Sequence, residues 1–146
     1  MKVSTRVEYG LIALTDIVIH SGMGQSVSGP EISARQHISQ KYLEQILLLL
    51  RQAGFITAQK GLRGGYALSR PPENISMSDV LNALDGNILA DLDDGGQDGD
   101  LRTVIKRCFW SRINSSLNKY TDSLTLGEFA EGCRSCFSDT WDMYVI

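Results

Sequence analysis

Three groups of residues in this chain have types and spacings that do chemistry. Cys133-Arg134-Ser135-Cys136 has the CxxC spacing of zinc knuckles and redox pairs. Zinc would need two further ligands there, and a second CxxC from a dimer partner is one source of them. Arg134 is placed to favour a thiolate at either neighbour. Two ordinary surface thiols are an equally good reading of the pair, and Cys108 stands apart from it. The second group opens an apolar-periodic segment: Ser39, Gln40, Lys41, Tyr42, Glu44 and Gln45, with Arg51 further on. Glutamate accepts from cytosine N4 and glutamine bridges adenine N6 and N7, so this set suits a helix lying in a major groove. The third group is Lys60-Gly61-Leu62-Arg63-Gly64-Gly65, in which two cations stand among glycines that let a backbone come close to DNA. Lys60 and Arg63 suit phosphate contact or minor-groove insertion, and Gly64 and Lys2 join them as candidate DNA-contacting residues.

Such residues need elements to hold them. Thr5-Arg6-Val7-Glu8 has the form of a capping box and is followed by Val7, Leu11, Leu14 and Val18 at helical spacing, a first helix ending near Gly22. Ser28-Gly29-Pro30-Glu31 repeats the box and opens a short helix through about Gln36. After a tight turn at His37 and Ile38, Ser39 caps a third helix. Its buried stripe is Leu43, Ile46, Leu47 and Leu50, and it ends at Ala53-Gly54. Residues 55–58 and 66–68 read as two strands around the basic loop, a β-hairpin. Ser76 caps a further short helix bearing Val80, Leu81 and Leu84. Residues 85–100 hold four glycines and six aspartates and read as a flexible acidic loop. A long helix then runs from about Leu101 to Tyr120. Val104, Ile105, Phe109, Ile113, Leu117 and Tyr120 lie along one side of it, an apolar face expected to meet another copy of itself. Thr125 starts a last short helix before the tail.

The expected architecture is therefore mainly α with a small β-hairpin. Residues 1–84 form a winged helix-turn-helix domain, residues 85–100 the acidic loop, and residues 101–146 a dimerisation helix with a C-terminal tail. At 146 residues and 42 % hydrophobic, the chain has enough apolar material for a core without metal or disulfides. Its longest apolar run, residues 46–50, is far too short to span a bilayer, so no membrane partner is expected. Three cysteines and no leader-like hydrophobic block point to a reducing cytoplasm. The net charge of −3 hides a division: residues 1–73 carry eight Lys or Arg against five acids, while the remainder carries six against twelve. The basic half is the expected DNA-binding half. No nucleophile elbow, P-loop, HExxH or nucleotide fingerprint is present, so an enzyme is not expected.

The segments Met1-Lys2-Val3-Ser4-Thr5-Arg6, Tyr9-Gly10-Leu11, Tyr42-Leu43-Glu44-Gln45-Ile46, Leu50-Arg51-Gln52-Ala53-Gly54 and Lys60-Gly61-Leu62-Arg63-Gly64-Gly65-Tyr66 resemble the Rrf-type bacterial winged-helix regulators. The resemblance runs from Met1 through Glu131. It implies a homodimer on a partly palindromic double-stranded operator, with the long helix as the dimerisation element. Within the family, the chain resembles the cysteine-metabolism regulators that lack an iron–sulfur loop, which implies a repressor of cysteine or sulfur metabolism. Cluster-binding members place three cysteines before the long helix, and this chain has none in residues 85–100. No cofactor is therefore expected, with an iron–sulfur or thiol-based redox sensor as the alternative, drawing on Cys108, Cys133 and Cys136. Some relatives supply a carboxylate ligand at the position of Glu8, a residue the capping box accounts for without metal. Leu48 and Leu49 depart from the more polar stretch usual in the family, and either extend the core or leave an apolar patch. The tail Asp142-Met143-Tyr144-Val145-Ile146 resembles the isoleucine-ended tail that serine acetyltransferase offers to cysteine synthase, which makes that enzyme a candidate partner. Folding of Tyr144 and Ile146 back onto the dimer core is the competing expectation.

Overall fold

The computed structural model describes residues 3–22, 25–85 and 99–144, with side chains as far as residue 138. Lys2, residues 86–98 of the acidic segment, and Val145 and Ile146 of the tail lie outside the described residues, as does the side chain of Tyr144. The helices α1 (Thr5–His20), α2 (Gly29–Gln36) and α3 (Gln40–Gln52) lead into strands β1 (Ile56–Gln59) and β2 (Gly65–Leu68). A single helical turn, Pro72–Asn74, and α4 (Met77–Leu84) complete this half.

Caps fix most of these boundaries. The Ser28 hydroxyl accepts from the Glu31 N–H at 3.3 Å, and the Ser28 N–H donates to Glu31 Oε2 at 2.9 Å, the reciprocal box expected for α2. Ser39 accepts from the Tyr42 N–H at 3.3 Å, and Ser76 from the Asp79 N–H at 3.1 Å. The first helix departs from expectation. Ser4, not Thr5, is its cap and accepts from the Val7 N–H at 3.3 Å. Glu8 then falls one place too far along to close a box. It stands instead as an exposed charge in the first turn, favoured there by the helix dipole.

The core lies where α1, α2, α3 and α4 meet. Leu14 and Ile17 of α1, Ile32 of α2, and Val80 and Leu84 of α4 are buried against the full expected stripe of α3, Leu43, Ile46, Leu47 and Leu50. The hairpin pairs Ile56 with Leu68 and Gln59 with Gly65, so β1 runs one residue later and β2 begins one residue earlier than the sequence suggests, with Phe55 buried just before β1. Val27 adds a one-residue third strand: its N–H donates to Tyr66 O at 2.8 Å, and the Tyr66 N–H donates back at 2.7 Å. Gly65 permits this approach, since a Cβ there would stand 2.5 Å from Val27 O.

The long helix is present but not uniform. It consists of α5 (Leu101–Ile105), a wider π turn at Lys106–Trp110, and α6 (Ser111–Ser123). Ile105, Phe109, Ile113 and Leu117 recur every fourth residue, a spacing that over-rotates by about 40° per step in an α-helix. The π turn absorbs part of that drift and keeps the apolar row in line. The last helix, α7 (Leu126–Tyr144), is 19 residues long rather than short. Its start is tied to the first half by the Leu126 N–H donating to Ile75 O at 2.8 Å and the Met77 N–H donating to Leu124 O at 2.9 Å. It then packs along α1. Among the described residues no helix is long and apolar enough to cross a membrane.

Candidate nucleic-acid interface

Burial of the α3 stripe leaves its opposite side to solvent. Gln40, Lys41, Glu44, Gln45 and Arg51 are all exposed, as the sequence implies, and Leu48 joins them. The apolar run of residues 46–50 is thus resolved: Leu47 and Leu50 enter the core, Leu49 is half-buried, and Leu48 is 51 % exposed in the middle of the polar face. Ser39 holds the helix start by capping. Tyr42 is half-buried and meets the ring of Tyr9 edge-on, centroids 5.7 Å apart, so its ring braces α3 on α1.

The loop between β1 and β2 is a wing with a fixed tip. The Gly64 N–H donates to Gly61 O at 2.9 Å, closing a turn around Leu62 and Arg63, and Gly61 enters it at φ +116°. Ser26, outside the hairpin, donates its hydroxyl to Arg63 O at 2.7 Å and ties the loop to the segment before α2. Lys60, Leu62 and Arg63 are exposed at this tip, and Gly64 is half-buried beneath it. Among the described residues, Lys41, Arg51, Lys60 and Arg63 have no carboxylate within ion-pair distance, so their charges are available to a polyanion.

A network that sequence reasoning missed sets the angle of this face. Asp16 of α1 is only 2 % exposed. Arg35 Nε donates to its Oδ2 at 3.1 Å, Arg35 Nη2 to Oδ1 at 2.9 Å, and Gln36 Nε2 to Oδ2 at 2.7 Å. His20 lies 3.4 Å from Oδ1. Burial pushes the Asp16 carboxyl up, but the hydrogen bonds from Arg35 and Gln36 and the Arg35 charge outweigh it and hold the group below the ordinary aspartate range. The same contacts raise Arg35 above its usual value. Arg35 and Gln36 end α2, and His37 follows in the left-handed region at φ 54°. Asp16 therefore anchors the turn that aims α3. An acid between the stripe residues Leu14 and Ile17, in the mostly apolar segment of residues 11–19, was the available signal.

The thiols are set differently. Cys108 is exposed on the π turn, while Cys133 and Cys136 lie one turn apart on α7, and none forms a disulfide. Burial, then the nearby Cys136, push the Cys133 thiol up rather than down. Arg134 does not lower it, because its guanidinium turns to Glu131 at 3.1 Å. Cys133 thus lacks the electropositive setting of a reactive thiolate.

A short helix leading by a tight turn into a helix with an exposed polar face, beside a hairpin with a cationic glycine-rich tip, defines a winged helix-turn-helix DNA-binding protein. The model of the Rrf2 family, described as iron-dependent transcriptional regulator, matches residues 3–132, and the chain belongs to that family. The IscR regulator of Cereibacter sphaeroides is 42 % identical over 91 residues, 62 % of this chain, which spans 59 % of that protein's length. The CymR regulator of Bacillus subtilis is 33 % identical over 132 residues, covering 89 % of this chain and 90 % of that protein. The solved structure of B. subtilis CymR, titled the global cysteine regulator, superposes with a TM-score of 0.75 at 27 % identity, over 90 % of this chain and 97 % of that one.

Iron in the family's description raises the matter of a cluster, which thiolate ligands would have to hold. All three cysteines lie on the long helix and α7, outside residues 85–100. Among the described residues, no three His, Cys, Asp or Glu side chains gather around a possible metal position. Among the described residues, the three thiols are not gathered as the ligands of one iron–sulfur cluster would be.

Proposed function

We propose that the chain works in the cytoplasm as a homodimer that occupies a partly palindromic operator and represses transcription of genes for cysteine or sulfur metabolism. One observation carries the dimer: among the described residues, α4 packs against α6, yet most of the apolar row of the long helix stays open to solvent. Ile105, Phe109, Leu117 and Tyr120 are exposed, at 43, 53, 38 and 62 %, and Val104 and Ile113 are only half-buried. A face of that extent on a small chain is the mark of a partner, and a second copy supplies the self-complementary surface a two-fold contact needs. Two such protomers present two copies of α3 and of the wing, which is how helix-turn-helix dimers read half-sites related by a dyad. Binding there blocks polymerase wherever the operator overlaps a promoter.

The sulfur assignment is supported by the nearly full-length likeness to CymR and by the cysteine-free segment before the long helix. Contact with cysteine synthase through the tail rests on the resemblance and on the apolar Tyr144, Val145 and Ile146 alone. Genome-wide mapping of the tagged protein on DNA in its own cell tests the assignment. Occupancy upstream of genes for cysteine uptake and synthesis, with transcripts that rise on deletion, is expected. Occupancy confined to iron–sulfur assembly genes would replace this reading by the sensor alternative.

A further inference from the structure

Among the described residues, the exposed large hydrophobic side chains fall into two sets. One lies on the long helix and α7; the other is Val3, Leu48 and Leu62, beside α1, on α3 and at the wing tip. Leu62 is the extreme case, with its side chain entirely in solvent. A lone exposed leucine on an ordinary surface carries no message. This one differs by its setting. It stands between Lys60 and Arg63, cations with no partner among the described residues, on a tip closed by the Gly64–Gly61 hydrogen bond and tied down through Arg63 O by Ser26. Any duplex that neutralises those two cations brings its backbone against Leu62. The side chain has no role in the core, and its loop is already ordered, so little freedom is lost when it meets a ligand.

We propose that Leu62 is a specificity-determining residue of the wing, an apolar wedge that enters the minor groove between the phosphates taken by Lys60 and Arg63. Resting on the reading of this face as a DNA interface, it assigns that face a contact that charge alone does not supply. An apolar side chain in the minor groove packs on sugar walls and partly unstacks a base step. Pyrimidine–purine steps open most easily, so the wedge selects TA or CA/TG at the flank of each half-site without a hydrogen bond to any base.

In vitro selection from a random duplex library by the wild-type protein and by Leu62→Ala tests this. Wild type is expected to enrich a flexible step at the flank, and the variant to keep the α3-read centre but lose that flank. On the wild-type-selected duplex, Leu62→Ala should bind about ten-fold more weakly, since it removes three side-chain carbons from a partly buried contact. Its salt dependence should be unchanged, because no phosphate contact is removed. Leu62→Met should restore both affinity and flank. A Leu62→Ala variant that selects the same flank and binds as wild type overturns the wedge and leaves the DNA-binding reading intact. A wild type that enriches no sequence overturns both. Because the side chain is fully exposed, melting temperature should not move in either variant, which keeps the outcome free of folding effects.

Discussion

Replacing Asp16 by asparagine tests how the turn before α3 is held. Oδ2 receives both Arg35 Nε and Gln36 Nε2, and Oδ1 receives Arg35 Nη2, so whichever oxygen becomes an amide nitrogen meets a donor. Hydrogen bonds to charged groups are worth about 1.5–3 kcal/mol. The Arg35 side chain is 36 % exposed and can turn to water, while Asp16 is enclosed, so the loss falls near the lower half of that range, about 2 kcal/mol. For a chain of this size that is a fall of about 4–8 °C in Tm, read by circular dichroism at neutral pH. Acid supplies a second readout. The folded-state carboxyl lies below its unfolded value, so its stabilisation is present above the ordinary aspartate range and is lost as pH falls through the folded value. The gap between wild type and Asp16→Asn should therefore narrow on acidification below about pH 4. A Tm within about 1 °C of wild type, or a gap that stays constant with pH, would refute the reasoning.

Three further outcomes follow from the interface. Replacing Lys60 and Arg63 together with alanine should weaken binding to every duplex and flatten the salt dependence by about two counterion units, and an unchanged slope would remove both from the phosphate contacts. Glu44→Ala should relax preference at one operator position, by about 1–3 kcal/mol in binding measured across single-base variants; equal weakening on all sequences would make Glu44 a structural residue. Ile113→Asp, in the middle of the apolar row, should give monomers or insoluble protein in light scattering, whereas a wild type that is monomeric at micromolar concentration would sink the dimer.

The first half of the chain was largely legible because its signals are local. Ser28 and Glu31 close their box, Ser39 caps α3, and the Leu43–Leu50 stripe is buried as its 3.6-residue period requires. The first cap was misplaced by one residue because Ser4 and Thr5 offer the same hydroxyl, and only geometry chooses between them. The Asp16–Arg35–Gln36 network joins side chains 19 and 20 residues apart, which no local pattern encodes. The length of α7 was hidden for another reason. Beyond Ala130 its described side chains are exposed or half-buried, so no apolar stripe marks the helix. The π turn leaves only an indirect trace, the four-residue spacing of Ile105, Phe109, Ile113 and Leu117. The candidate contacts of α3 and the wing rest on residue type alone, whereas a leucine in a basic loop takes its meaning from how the loop presents it, which residue type does not carry.

The most direct test of a dimeric operator-binding regulator is a hydroxyl-radical footprint, with stoichiometry from sedimentation, on the duplex that the wild-type protein selects. Two protomers per duplex are expected, with protection related by a dyad and half-sites about 10 base pairs apart or a multiple of that. One protomer on a single half-site, or protection without a dyad, would contradict it.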